Sequence, residues 1–196
     1  MARKNTAAQG HIRMIGGQWR GRKLPVTDAE GLRPTIDRLR ETLFNWLQFE
    51  LPQTQVLDVF AGTGSLGLEA LSRGAAQATF FEQNRQACQQ LRTNLTTLRA
   101  EQSAQIHQGN ALQLLTLPNM QKPMQVVFLD PPFQQNLVNP AIELLEQHQW
   151  LAPDAWVYIE TEHKAPVHVP AHWQLYREKT MGQSAALLYR VVKAPS

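Results

Sequence analysis

The twelve residues from Val56 to Gly67, VLDVFAGTGSLG, constrain the fold more than any other stretch of the chain. An apolar, β-branched run that ends in an acid and breaks into closely spaced glycines reads as a buried strand entering a tight loop. Leu66 to Leu71 then resume apolar residues at helical spacing. Strand, glycine loop and helix N-terminus make the turn that cradles a nucleotide-like ligand in open α/β sheets.

The rest of the chain repeats the strand–helix alternation. Strands are expected at 77–82, 104–108, 124–130 and 154–161, with helices at 85–98 and 138–149 between them. MQVVFLD, 124–130, is apolar almost throughout and is therefore expected to be central. Segments 173–180 and 184–192, joined by Met181-Gly182-Gln183, read as a closing antiparallel pair. Such alternation implies a mostly parallel sheet with helices on both faces.

Ahead of this body, HIRMIGGQWRGRKL (11–24) alternates apolar and basic residues around glycines, the pattern of a hairpin with Ile12, Met14 and Trp19 on one face. Trp19 suits either stacking on a base or anchoring the hairpin. RPTIDRLRETLFNWL (33–47) reads as a helix with Pro34 and Thr35 at its start and Ile36, Leu39 and Leu43 on a buried face. Arg38 and Glu41 fall on another face, which by itself implies only solvation. Residues 1–10 are expected to be a disordered polar tail, 11–50 a hairpin-and-helix extension, and 51–196 the main domain.

Charge is distributed unevenly. Residues 1–40 carry a formal charge of +6 and residues 41–196 carry −3, within a net +3. A basic lobe on a mildly acidic body suits a polyanionic partner, because Lys and Arg displace counterions from phosphates. A single cysteine, Cys88, excludes an internal disulfide and fits a reducing compartment; it reads as a small half-buried helix residue. Apolar stretches fall short of the roughly 20 residues of a membrane span, and no secretory signal is legible, so a cytoplasmic location is expected. His163, His168 and His172 lack metal-ligand spacing, and no metal site is expected.

Functional groups converge at the carboxyl ends of the strands. Gly62 and Gly64 leave the loop backbone open to a ligand. Glu82, at the end of the next strand, suits the vicinal hydroxyls of a ribose, and Asn110 suits the edge of a purine. The loop also satisfies G-x-G-x-x-G, with Glu82 twenty residues beyond Gly62, so a dinucleotide oxidoreductase competes. Asp58 speaks against it: a carboxylate just before the loop is a poor neighbour for a pyrophosphate and a good one for an ammonium. Asp130-Pro131-Pro132-Phe133 is the second discriminator. Its strand is expected beside the glycine-loop strand, where the Asp130 carboxylate and the Pro131 carbonyl can accept hydrogen bonds from an aromatic amine and localise its lone pair. Phe133 offers a flat surface to a base swung out of its stack.

VLDVFAGTGSLG, FFEQN, GNA and DPPF resemble the motifs of class I S-adenosylmethionine-dependent methyltransferases acting on exocyclic amines of nucleobases. With RMIGGQWRGRKL and RPTIDRLRETLFNWL, nearly the whole chain resembles the RsmD family, bacterial methyltransferases that form N2-methylguanine in 16S ribosomal RNA of the small subunit. The resemblance implies a Rossmann-like fold with a seven-stranded, mostly parallel sheet and an antiparallel C-terminal strand. It implies S-adenosyl-L-methionine as cofactor, with Asp58, Ala61, Gly62 and Gly64 at its methionine part, Glu82 at its ribose, and Asn110 with Ala111 at its adenine. Thr35 and Arg38 would close over it. Asp130, Pro131 and Phe133 would hold the target guanine, and Arg13, Arg20, Arg22, Lys23 and Arg33 would face the RNA. Many class members have Asp where this chain has Asn110. The expected partner is 16S rRNA within a small-subunit assembly particle, with no membrane and no obligate protein partner. DNA adenine or other amine methylation is the alternative, followed by NAD-dependent oxidation and non-catalytic RNA binding.

Overall fold

The glycine-rich turn and the apolar strand before it organise a single sheet. The computed structural model describes residues 10–26, 34–118 and 122–192. The expected tail therefore lies outside the described residues except for Gly10, which opens β1, and Arg33 lies outside them as well. The N-terminal hairpin pairs β1 (Gly10–Arg13) with β2 (Lys23–Val26), placing Ile12 opposite Leu24 and Arg13 opposite Lys23. Helix α1 follows at Pro34–Trp46.

The main sheet contains β3 (Gln55–Asp58), β4 (Gln77–Glu82), β5 (Ala104–Gln108), β6 (Met124–Leu129), β7 (Leu151–Glu162), β8 (Trp173–Met181) and β9 (Ser184–Val191). Its spatial order is β5-β4-β3-β6-β7-β9-β8. β3, β4, β5, β6 and β7 pair in parallel, while β9 inserts antiparallel between β7 and β8. Seven strands with β9 alone reversed match the expected sheet. The order turns back at β3, whose neighbours are β4 on one side and β6 on the other. Connections diverge there, leaving a crevice at the carboxyl ends of β3 and β6.

Helices α2 (Ser65–Ser72), α3 (Arg85–Leu98), α4 (Ala111–Leu115) and α5 (Val138–Gln147) complete the layers. One core joins α1, α2, α3 and the hairpin to one face of the sheet, through Phe44, Leu68, Phe80, Leu91 and Phe128. The other packs α5 through Ala141, Ile142 and Leu145 against Leu57, Val127, Val157 and Ile159. Alternate residues of one strand thus enter different cores, as a sheet covered on both faces requires. Among the described residues no helix is long and apolar enough to cross a membrane.

The hairpin is fastened to the body by polar as well as apolar contacts. Ile12, Met14, Trp19, Leu24 and Val26 join the core of α1, α2 and α3, so Trp19 is a packing anchor and does not present its ring to solvent. Glu69, 0% exposed on α2, accepts hydrogen bonds from the N–H groups of Ile15 at 2.8 Å and Gly16 at 2.7 Å, and from Arg73 Nε at 2.7 Å. Beside it, Ser72 accepts from Trp19 N–H and donates to the Gly16 carbonyl. Gly17 has φ +70°, and a Cβ there would lie 1.8 Å from the Ser72 carbonyl oxygen, so only glycine permits this approach.

Candidate active site

Three strands end in acids around the crevice. β3 ends at Asp58 and β4 at Glu82, while Asp130 directly follows β6. Parallel pairing sets Asp58 beside Phe80 of β4 and Phe128 of β6, so the carboxylates rise from neighbouring strands at one end of the sheet.

The loop after β3 uses its own N–H groups. Ala61 donates to the Phe81 carbonyl, Gly64 to the Ala61 carbonyl, and Gly62 to Glu82 Oε2 at 2.6 Å. On the first turn of α2, Gly67 donates to Asp58 Oδ2 at 3.0 Å. The expectation that these backbone donors lie open to a ligand is met only in space: a Cβ on Gly62 would touch nothing within 4 Å. Gly64 is a glycine for a different reason. It is buried at φ +77°, and a Cβ would fall 2.5 Å from Leu91 on α3.

The arrangement decides between ligand classes. A pyrophosphate needs free N–H groups at the helix N-terminus. Here carboxylates already occupy the Gly62 and Gly67 donors, and a second anion would meet like charge. A cationic ligand meets attraction instead. Asp58 is 1% exposed, and burial, together with the nearby Glu82 charge, pushes its carboxyl from 3.8 up to about 7, against the lowering effect of the Gly67 bond. A cation placed beside it would restore the ionised form.

Glu82 is held in place by a second backbone donor, Asn84 N–H to Oε1 at 2.6 Å. A carboxylate accepts about four hydrogen bonds, so capacity remains for two hydroxyls of a ribose. The Asn84 side chain in turn caps α3, accepting from Gln86 and Ala87 N–H. Asn110 caps α4 by accepting from Gln113 N–H, which commits its carbonyl and leaves its amide to donate to a ring nitrogen. Asn110 is exposed and Ala111 half-buried at the start of α4. These groups fit an adenosine bearing a cationic tail, the charge pattern of S-adenosylmethionine.

The DPPF segment flanks this crevice. Asp130 is half-buried, and its carboxyl is raised well above the usual range by burial, then by Glu160 and Asp58. Pro131 is buried, while Phe133 is 42% exposed and so free of the core. Gln134 N–H donates to Glu162 Oε1 at 2.6 Å, tying the segment to the end of β7. A cavity of about 270 Å³ opens between them, lined by Pro131, Phe133, Val138, Glu160 and Pro166 among others.

Of the remaining expected residues, Arg13, Arg20, Arg22 and Lys23 are all exposed on the hairpin, opposite its buried face. Arg38 is exposed on α1, and the Thr35 side chain lies outside the described ones. Cys88 is fully buried, closer to the core than its helix position implies. His172 lies 3.3 Å from Glu146, away from the crevice. Two further acids, Glu69 and Glu160, take structural places that their positions in the sequence do not announce. Glu69 carried a signal as the one acid in the run SLGLEALS, and Glu160 as another acid near a strand's end.

Comparison with known proteins agrees with this geometry. The family model described as "Conserved hypothetical protein 95" matches residues 12–190. The chain is 51% identical over 191 residues to ribosomal RNA small subunit methyltransferase D of Escherichia coli (strain K12), covering 97% of this chain and 95% of that protein. It is 49% identical to the Haemophilus influenzae protein of the same name, over 93% of this chain and 95% of that one. The solved structure of Escherichia coli yhhF superposes with a TM-score of 0.83 at 52% identity, covering 93% of this chain and 99% of that one. By family match, relatives and fold together, the chain belongs to the RsmD family.

Proposed function

We propose that the protein transfers a methyl group from S-adenosylmethionine to the exocyclic N2 amine of a guanine in small-subunit ribosomal RNA. The observation that carries this reading is the pair of carboxylates, Asp58 and Glu82, holding the loop donors that a pyrophosphate would need. It favours a cationic nucleoside over a dinucleotide. The relatives named for ribosomal RNA methylation supply the substrate class.

Bound in the crevice, S-adenosylmethionine supplies an electrophilic methyl group on a sulfonium. Asp58 would face its ammonium, Glu82 its ribose, and Asn110 with Ala111 its adenine, beside Ala61, Gly62 and Gly64. Arg38 and Thr35 close over it from α1. Asp130 and the Pro131 carbonyl accept the amine protons of guanine, directing the nitrogen lone pair toward the donor. Phe133 stacks on the base. No covalent enzyme intermediate is called for, and acceleration comes from positioning.

Residues 11–50 form the RNA-facing part and 51–196 the catalytic domain. Arg13, Arg20, Arg22, Lys23 and Arg33 contact phosphates, in an assembling small-subunit particle in the cytoplasm. Titration calorimetry tests the cofactor: micromolar binding of S-adenosylmethionine with none of NAD supports the reading, and preference for NAD overturns it.

A further inference from the structure

The groups assigned to the target bind its amine or stack on its ring, and they do not tell one nucleobase from another. A carboxylate, a carbonyl and a phenyl ring serve the N2 amine of guanine and the N6 amine of adenine equally. The two bases differ at the adjacent ring nitrogen, N1, which bears a proton in guanine and a lone pair in adenine. A guanine site therefore needs an acceptor facing N1.

β7 supplies one. It runs parallel to β6 with Phe128 opposite Tyr158 and Leu129 opposite Ile159, which makes Asp130 and Glu160 neighbours on the same face one step further on. Glu160 lines the cavity that opens beside Pro131 and Phe133. It is 6% exposed, and among the described residues no Lys or Arg pairs with it. The Tyr158 hydroxyl donates to its Oε2 at 3.1 Å and the Ser184 side chain also hydrogen-bonds it; these two bonds favour the ionised acceptor against the burial that raises its carboxyl above the usual range. Glu162, the other acid on the cavity wall, accepts from Gln134 N–H and is less buried than Glu160, so its hydrogen bonds compete more with water.

We propose that Glu160 reads the N1–H of the target guanine and is the residue that selects guanine among amine-bearing bases, an inference that rests on the guanine-methylation reading above. A base with a lone pair at N1 would set that lone pair against those of the carboxylate and forgo the hydrogen bond that guanine makes there, which disfavours it. Deep burial is what gives this discrimination its strength.

The test uses RNA fragments with guanine or 2-aminopurine at the modified position. 2-Aminopurine keeps the 2-amine and has a bare N1. Wild type is expected to prefer guanine by about tenfold or more in kcat/KM. Glu160→Gln, whose amide donates to a bare N1, is expected to shift that ratio toward 2-aminopurine by about tenfold. Because the ratio is taken within one protein preparation, partial misfolding does not move it. An unchanged ratio overturns the proposal. If the variant transfers to neither RNA, affinities of the two RNAs carry the comparison: lost guanine preference supports the proposal and retained preference overturns it. Wild type inactive on the guanine RNA overturns the functional reading itself, a separable result.

Discussion

Replacing Asp58 with Asn is expected to stabilise the free protein while removing its ligand. Burial lifts the Asp58 carboxyl from 3.8 to about 7. At about 1.4 kcal/mol per pKa unit, the ionised folded form at pH 8 is penalised by at most about 4 kcal/mol. Between about pH 4 and 7 the folded state binds a proton that the unfolded chain has released, so stability falls as pH rises through that window and is level above it. Asparagine does not titrate, and its carbonyl still accepts from Gly67 N–H. Burying its amide costs about 1–2 kcal/mol, leaving a net gain of about 2–3 kcal/mol at pH 8 and a net loss of about 1 kcal/mol near pH 4. Urea unfolding of both proteins at these two pH values measures the difference. Calorimetry with S-adenosylmethionine at pH 8 should show affinity lower by about tenfold or more, because the charged partner of the ammonium is gone. A variant less stable than wild type at pH 8 would show that burial does not penalise the ionised Asp58, and one that binds the cofactor normally would show that Asp58 does not face the ammonium.

Three other substitutions separate the parts of the site. Phe133→Ala should abolish most methyl transfer while changing unfolding free energy by less than about 1 kcal/mol, since the ring lies outside the core; activity and urea melts read the two effects. Glu69→Ala strips the partners of Ile15 and Gly16 N–H and of Arg73, and should cost about 3–5 kcal/mol in urea unfolding. Arg22→Ala and Lys23→Ala should each weaken RNA binding and lower the slope of log affinity against log salt by about 1 in filter binding, with cofactor affinity unchanged.

What could be read from the chain follows from how locally each signal is encoded. QATFFE, RQACQQLRTNLTTL and AQIHQ carry their own periodicity and caps, and they occupy the expected elements. β3 ends at Asp58, two residues before the apolar run does, because Val59 and Phe60 already belong to the turn. α4 is a single capped turn, too short for periodicity to show. Long-range facts were less legible. The insertion of β9 between β7 and β8 depends on which edge stays open, and nothing within 184–191 records that. At the site, residue types at strand ends announced Asp58, Glu82 and Asp130. Which donors they would occupy depended on the fold of the loop: the sequence offers Gly62 N–H to a ligand, whereas the folded loop gives it to Glu82. Glu160 ends the same kind of apolar run, and its meaning emerges only from the register that sets it beside Asp130.

Methylation of guanine N2 is read out by incubating small-subunit ribosomal RNA with the protein and S-adenosylmethionine carrying a labelled methyl group, then digesting the RNA to nucleosides for mass analysis. Label is expected in N2-methylguanosine at one position, and is expected to be lost with Asp130→Ala. Label in methylated adenosine or cytidine, or near-normal transfer by Asp130→Ala, would contradict that expectation.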